Sequence, residues 1–354
     1  MKFSLISGGE LDAGLHKAWL QMLNNSAILQ SPYYHPKYTT IIGAARADTR
    51  ILVIEDAGEV IGFFPHHKKN AFVAEVIGGG LTDYQGPIFS ANRELSIKQM
   101  LAAMNVRYMG FNHMPSDRTE FAKYAWDHSR SLTLNLDGGF EAYIQRLSER
   151  RDASLFKKIE TNERKLSKKF GPLRFCFDAR DPAEFSALLA GKSNQFIRTL
   201  GADHDIFAVP WIKTVVEGIN QQKQADFAGV LSTLYAGDTL IAAHFGMRSA
   251  SVLHYWFPWY ETVFSEFSPG LILLAGCARE APATGITSID LGRGEQAYKL
   301  RFATGHIDLC EGAISSPALL SKSKADYLTL RSDLKNSRLG NYLRNLKQKK
   351  KAAL

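Results

Sequence analysis

The chain has 354 residues, 45% of them hydrophobic and 22% charged, which excludes intrinsic disorder and supplies enough apolar material for two core-forming units. A formal net charge of +8 and a pI of 9.2 favour an anionic partner such as nucleic acid, lipid headgroups or a phosphate-rich substrate, without choosing among them. The brief apolar start gives way to Gly8, Gly9 and Glu10, too early for a secretory signal. The longest apolar run, near Leu271–Ala278, is far shorter than the roughly 20 residues that span a bilayer. A cytoplasmic location is therefore expected.

Arg50–Phe64 reads as two strands around an Ala57–Gly58 turn, because β-branched and apolar residues flank a compact break. Three glycines (Gly78, Gly79, Gly80), the polar segment Leu81–Ile88, a helix through Met104 and a strand at Val106–Phe111 follow. Arg146–Arg174 carries ten basic residues against four acidic ones, with Leu147, Leu155, Ile159 and Leu166 near helical spacing. It reads as a basic helix opening a second half, with either a solvated face or a role in holding phosphate or acceptor. Val230–Phe245 then repeats the hairpin, with its turn at Gly237–Asp238. An aromatic strand Val252–Tyr260, a loop closing in Ser268–Pro269–Gly270, a helix Leu271–Ala281 and a strand Ser288–Leu291 complete the unit. Both halves alternate hairpin, helix and strand, as mixed α/β units do.

The expected fold class is thus α/β with a mixed sheet: two similar halves side by side, residues 1–145 and 146–320, with a basic helical tail over 321–354. In the tail Leu330, Leu334, Leu339, Leu343 and Leu346 lie near helical spacing before a lysine run, a pattern suited to an anionic membrane surface or to packing on the protein itself. Cys176, Cys277 and Cys310 are widely separated in apolar surroundings. They read as core residues, and neither a disulfide framework nor a metal site is expected.

Proline beside glycine at a helix start leaves backbone N–H groups facing outward, so Ser268, Pro269, Gly270 and Leu271 form a candidate phosphate-binding turn; Ser268 as a simple helix cap is the competing reading. These residues, with Ala278, Gly285 and the run Asp290–Leu291–Gly292–Arg293–Gly294–Glu295 followed by Tyr298, Lys299 and Arg301, resemble the BcsL/CelD-like acetyltransferases of the GNAT and Fem-type superfamily. Lys157–Gly171 is similar to that family's basic helix, and Asp83–Ile88 to a segment of its first half. The resemblance runs from about Leu52 to Phe302.

The resemblance implies two GNAT-like halves and an acetyl-CoA or other acyl-CoA co-substrate. Its thioester would lie in a splayed cleft beside Val252–Tyr260, with its pyrophosphate on Ser268–Leu271 and Arg293 available to pair with phosphate. Glu261 and Glu266 lie in this loop, which is poorer in glycine and basic residues than the family's usual one. Acyl transfer needs an acceptor that loses a proton and donors that stabilise an oxyanion. Candidate catalytic residues are His254, Asp290, Glu295, Tyr298 and Lys299, with His244 as a further strand histidine; a core role is the alternative for either histidine. Asp83, Tyr84, Gln85 and Tyr255 are candidate substrate-binding residues, Tyr84 through stacking on a sugar ring. Trp256, Trp259 and Tyr260 could wall the same site.

Direct attack on the thioester, without a covalent enzyme intermediate, is expected because none of the cysteines has an activating setting. The implied acceptor is a sugar or lipid-linked saccharide of exopolysaccharide or cellulose-type synthesis, with peripheral contact at the inner membrane face. A Fem-type transfer from aminoacyl-tRNA and a non-catalytic binding module are the alternatives.

Overall fold

The computed structural model describes residues 1–26, 28–89, 95–149 and 154–317, so the tail at 321–354 lies outside the described residues. The first half contains β1 (Lys2–Ser7), α1 (Ala13–Asn24), α2 (Pro36–Ala45), β2 (Thr49–Asp56), β3 (Glu59–Lys68), β4 (Val73–Val76), β5 (Ile88–Phe89), α3 (Ile97–Ala103), β6 (Tyr108–Pro115), α4 (Thr119–Ala122) and β7 (Ala125–Asn135). The second contains α5 (Gly139–Glu149), α6 (Ser154–Phe170), β8 (Leu173–Cys176), α7 (Pro182–Leu200), α8 (Pro210–Asn220), β9 (Phe227–Ala236), β10 (Thr239–Ser249), β11 (Val252–Tyr260), α9 (Pro269–Glu280), β12 (Ser288–Arg293), α10 (Ala297–Phe302) and β13 (Gly305–Ser315).

The two halves share a pairing pattern. In the first, β2, β3 and β4 pair antiparallel in turn and β4 runs parallel to β6. In the second, β9, β10 and β11 do the same and β11 runs parallel to β12. Both hairpins turn at the expected dipeptides. The final strands are exchanged: β13 inserts between β6 and β7, and β7 pairs with β12, giving one sheet in the order β1-β2-β3-β4-β6-β13-β7-β12-β11-β10-β9-β8 with β5 on β3. The halves are therefore interlocked through backbone hydrogen bonds.

The segment expected as a basic helix holds α5 and α6, on either side of residues 150–153, which lie outside the described residues. Each is amphipathic. Tyr143 and Leu147 on α5, and Leu155, Ile159 and Leu166 on α6, enter the core around α9, while the basic residues stay outside. On the opposite face of the sheet α1, α2, α7 and α8 bury a second core that includes Trp19 stacked on Phe63 at 4.5 Å. A third core, under α3, holds Leu52, Phe64, Met109 and Phe111. Among the described residues no helix is long and apolar enough to cross a membrane.

Candidate active site

The parallel pairing of β11 and β12 covers only Val252–His254 against Ser288–Asp290. Beyond these residues the strands part, and the opening starts at His254 and Asp290. Two devices hold it open. Gly292 takes a left-handed conformation with φ of 74°, and a Cβ there would stand 3.1 Å from Asp83 Oδ2, so only glycine fits both demands. The buried Lys299 then donates from Nζ to the carbonyls of Gly292 (3.2 Å) and Arg293 (2.9 Å), fixing the bend in which β12 ends.

A buried polar network lies at this opening. Asp290 Oδ1 accepts from Ser131 Oγ at 2.6 Å and from the Gly292 amide at 2.7 Å, and Tyr84 Oη donates to Asp290 Oδ2. His254 sits between two carboxylates. Its Nδ1 is 3.6 Å from Asp290 Oδ1, an ion-pair rather than hydrogen-bond distance, and its Nε2 is 3.0 Å from Asp83 Oδ2. Burial alone would lower the His254 pKa, but its pairing with Asp290 and Asp83 outweighs burial and raises it to about 9. Both aspartates are held below the usual carboxylate range in spite of burial, chiefly by His254. At neutral pH an imidazolium thus stands between two carboxylates.

On the other side of Asp83, His113 Nε2 lies 3.5 Å from Asp83 Oδ1. Burial lowers the His113 pKa against the pull of Asp83, helped by the charges of Arg293 and His254. The loop that carries Asp83 and Tyr84 is pinned by Gln85, whose backbone N–H donates to the His113 carbonyl at 3.0 Å. The first-half loop thus crosses to β6 and delivers Asp83 and Tyr84 to the opening of the second half.

Of the sequence candidates, Asp83, Tyr84, His254, Asp290 and Lys299 come together here, with Gln85 behind them. Arg293 is at the rim, donating to the Asn112 carbonyl at 3.2 Å and standing 3.6 Å from Glu311. Glu295 lies apart, exposed and 3.7 Å from Arg130. Tyr298 packs partly buried against the α9 core. Tyr255 points away from His254 into the same core, its ring stacked on His244 at 3.8 Å. Trp256 and Trp259 pack against the core of the other face. His113, Ser131 and Asn112 were not legible as site residues in the sequence, and the correspondence that finds them needs the strand register. Glu75 pairs with Gly110 as His254 pairs with Asp290, so aligning the halves places His113 opposite Arg293.

The phosphate-turn candidate lies at the start of α9. Ser268 adopts a left-handed conformation with φ of 54°, and its side chain makes no capping hydrogen bond. The amide of Gly270 falls in the first turn, where a helix has no partners of its own. A Cβ on Gly270 would meet only Tyr260, at 3.5 Å. The end of α6 lies against this loop, where Lys169 Nζ is 3.1 Å from Glu266 in an exposed ion pair.

A polar groove of about 320 Å³ adjoins the site on the same sheet face, lined by Glu75, Gly79, Gly80, Tyr108, Asn112 and Trp126 among others. Asn112 connects it to His113, its Oδ1 lying 3.0 Å from His113 Nδ1.

This geometry agrees with what the chain resembles. Residues 153–300 match the acetyltransferase (GNAT) domain family. In sequence this segment is thus similar to GNAT acetyltransferase domains. It contains the α9 turn, His254 and Asp290, and GNAT domains in general use an acyl-CoA co-substrate. No curated protein matches the chain in sequence. In fold the chain is similar to FemX (TM-score 0.57, 11% identity, covering 88% of this chain and 96% of that one). It is also similar to a C-terminal domain assigned to a lysylphosphatidylglycerol synthetase of Agrobacterium fabrum (0.52, 11%, 90% and 96%). A tandem GNAT protein from the clavulanic acid biosynthesis pathway resembles it as well (0.50, 10%, 89% and 98%). The architecture is that of a tandem GNAT protein.

Proposed function

We propose that the protein transfers an acyl group, acetyl in the simplest case, from acyl-CoA to an amine or hydroxyl of a sugar or sugar-linked intermediate, in the manner of BcsL/CelD-like enzymes of exopolysaccharide synthesis. The observation that carries this reading is the opening between β11 and β12, with a helix N-terminus on one side and the Asp83–His254–Asp290 network at its apex. The donor pyrophosphate would lie at the start of α9, on the Gly270 amide and the positive end of the helix dipole. The acceptor would approach along the groove. Its glycine floor, aromatic residues Tyr108 and Trp126, and hydrogen-bonding Glu75 and Asn112 suit a sugar ring better than an extended apolar chain.

The acceptor atom attacks the thioester carbonyl, the C–S bond breaks and CoA leaves as its thiol. The His254 imidazolium supplies positive charge close to where the carbonyl oxygen becomes negative, and Asp83 orients the attacking group. A lipid-linked acceptor would bring the protein to the inner membrane face, with the basic tail as its contact. The test is release of free thiol from acetyl-CoA with glucosamine, UDP-glucosamine or cellobiose as acceptor. Release that depends on the acceptor supports the reading, and no release above hydrolysis with any of them contradicts it.

The fold similarity to FemX and the basic face of α6 favour a second reading, transfer of an aminoacyl group from tRNA through the same opening. Salt-sensitive tRNA binding combined with indifference to acyl-CoA would select it.

A further inference from the structure

We infer that His113 is the general base of the acyl transfer, acting through Nε2, with the proton of its neutral ring held on Nδ1 by a hydrogen-bond chain that begins on the backbone. This rests on the acyl-transfer reading above. The chain starts at Gln85, which is fully buried. Its Oε1 receives the backbone N–H groups of Asn112 (2.9 Å) and His113 (3.1 Å). A backbone N–H can only donate, so the atom between them must be the carboxamide oxygen. Gln85 Nε2 is then the donor, to the Thr82 carbonyl at 3.2 Å and to Asn112 Oδ1 at 2.7 Å.

Asn112 Oδ1 therefore acts as an acceptor, and it lies 3.0 Å from His113 Nδ1. The proton of this last contact belongs to His113 Nδ1. A neutral imidazole carries one N–H, so Nε2 holds a lone pair. That lone pair faces Asp83 Oδ1 at 3.5 Å, leaving two acceptors side by side with no proton between them. An acceptor ammonium, amine or hydroxyl supplies the missing donor.

His113 and His254 flank the same aspartate, and their surroundings push their pKa values in opposite directions. His254, between two carboxylates, is cationic, whereas His113 faces one carboxylate with Arg293 and His254 opposing its protonation. A base must start neutral, and only His113 does. As the acceptor atom bonds to the acyl carbon and the C–S bond breaks, its proton passes to His113 Nε2. The thiolate takes a proton from solvent and His113 returns its own to solvent, so the cycle closes without net change. Gln85 and Asn112 are positioning residues in this account.

The test has two readouts. The first is the ¹⁵N and ¹³C NMR signature of His113 in the wild-type protein at pH 7.5, assigned by its loss in His113→Asn. The Nδ1–H tautomer is expected; an Nε2–H tautomer or a charged ring overturns the proposal whether or not turnover is seen. The second is thiol release from acetyl-CoA with glucosamine. His113→Asn should lower kcat about 10²-fold with little change in the KM for acetyl-CoA, and His113→Gly should recover activity when imidazole is added. Equal kcat in wild type and His113→Asn overturns the catalytic role. A wild-type protein that releases no thiol with any acceptor contradicts the acyl-transfer reading itself, and the base assignment falls with it.

Discussion

His254 Nε2 meets Asp83 Oδ2 at 3.0 Å across 171 residues of sequence, joining β11 of the second half to the glycine-rich loop of the first. The contact places a charge pair where β11 and β12 part. Its energetic signature is therefore also a signature of the assembled site.

Stability should fall as pH rises from 6.5 to 9. The folded-state pKa of His254, about 9, lies above the unfolded value of about 6.5, so its contribution is complete below pH 6.5 and is lost as pH passes through 9. The difference corresponds to about 3 kcal/mol. Urea denaturation of Asp83→Asn should show a larger loss relative to wild type at pH 6.5 than at pH 9.5; equal losses would mean that His254 is not held in its charged form.

Acid should destabilise the protein well above the carboxylate range. Burial holds His35, His66 and His67 down at about 4, so the unfolded chain takes up protons that the folded protein refuses. Stability then falls as pH drops from 6.5 toward 4. His66→Asn should flatten this limb in a denaturation series, because His66 is fully buried and meets only the Phe64 carbonyl at Nδ1.

The two carboxylates of the Asp290–Glu295 run should separate sharply. Asp290→Asn should lower thiol release about 10²-fold, since it removes the charge that orients Ser131, Tyr84 and His254. Glu295→Gln should stay within about twofold, because that side chain lies on the surface beside Arg130, where ion pairs contribute little. Comparable losses would show that acyl transfer uses a different part of the run.

Gly246 controls the approach of β10 to β11. A Cβ there would come within 2.2 Å of the His254 carbonyl, so backbone would have to move. Gly246→Ala should cost about 2 kcal/mol or more in denaturation and displace His254. Gly80→Ala, with open space around it, is the matched control and should be nearly neutral.

Much of the frame was legible in the sequence, because hairpins, amphipathic helices and the Pro269 turn are local patterns. Both hairpins and α9 form within a few residues of where periodicity placed them. What was not legible is the pairing of distant pieces. No local rule shows that β7 and β13 change places, or that Asp83 meets His254. The same limit hid His113 and Ser131: each lies in an ordinary-looking strand and gains its setting only when β6 and β7 flank the exchanged β13. The burial of Tyr255 followed from strand alternation, which sends it to the face opposite His254.

The most direct test of the donor site is thermal unfolding with and without acetyl-CoA, in wild type and in Gly270→Trp. At 100 times its Kd the ligand should stabilise the wild type by about 2.7 kcal/mol and raise Tm by several degrees. Gly270→Trp should fold, since only Tyr260 lies within 4 Å of an added Cβ, and should lose the shift. An unshifted wild type, or a shift that survives in Gly270→Trp, would contradict acyl-CoA binding at the start of α9.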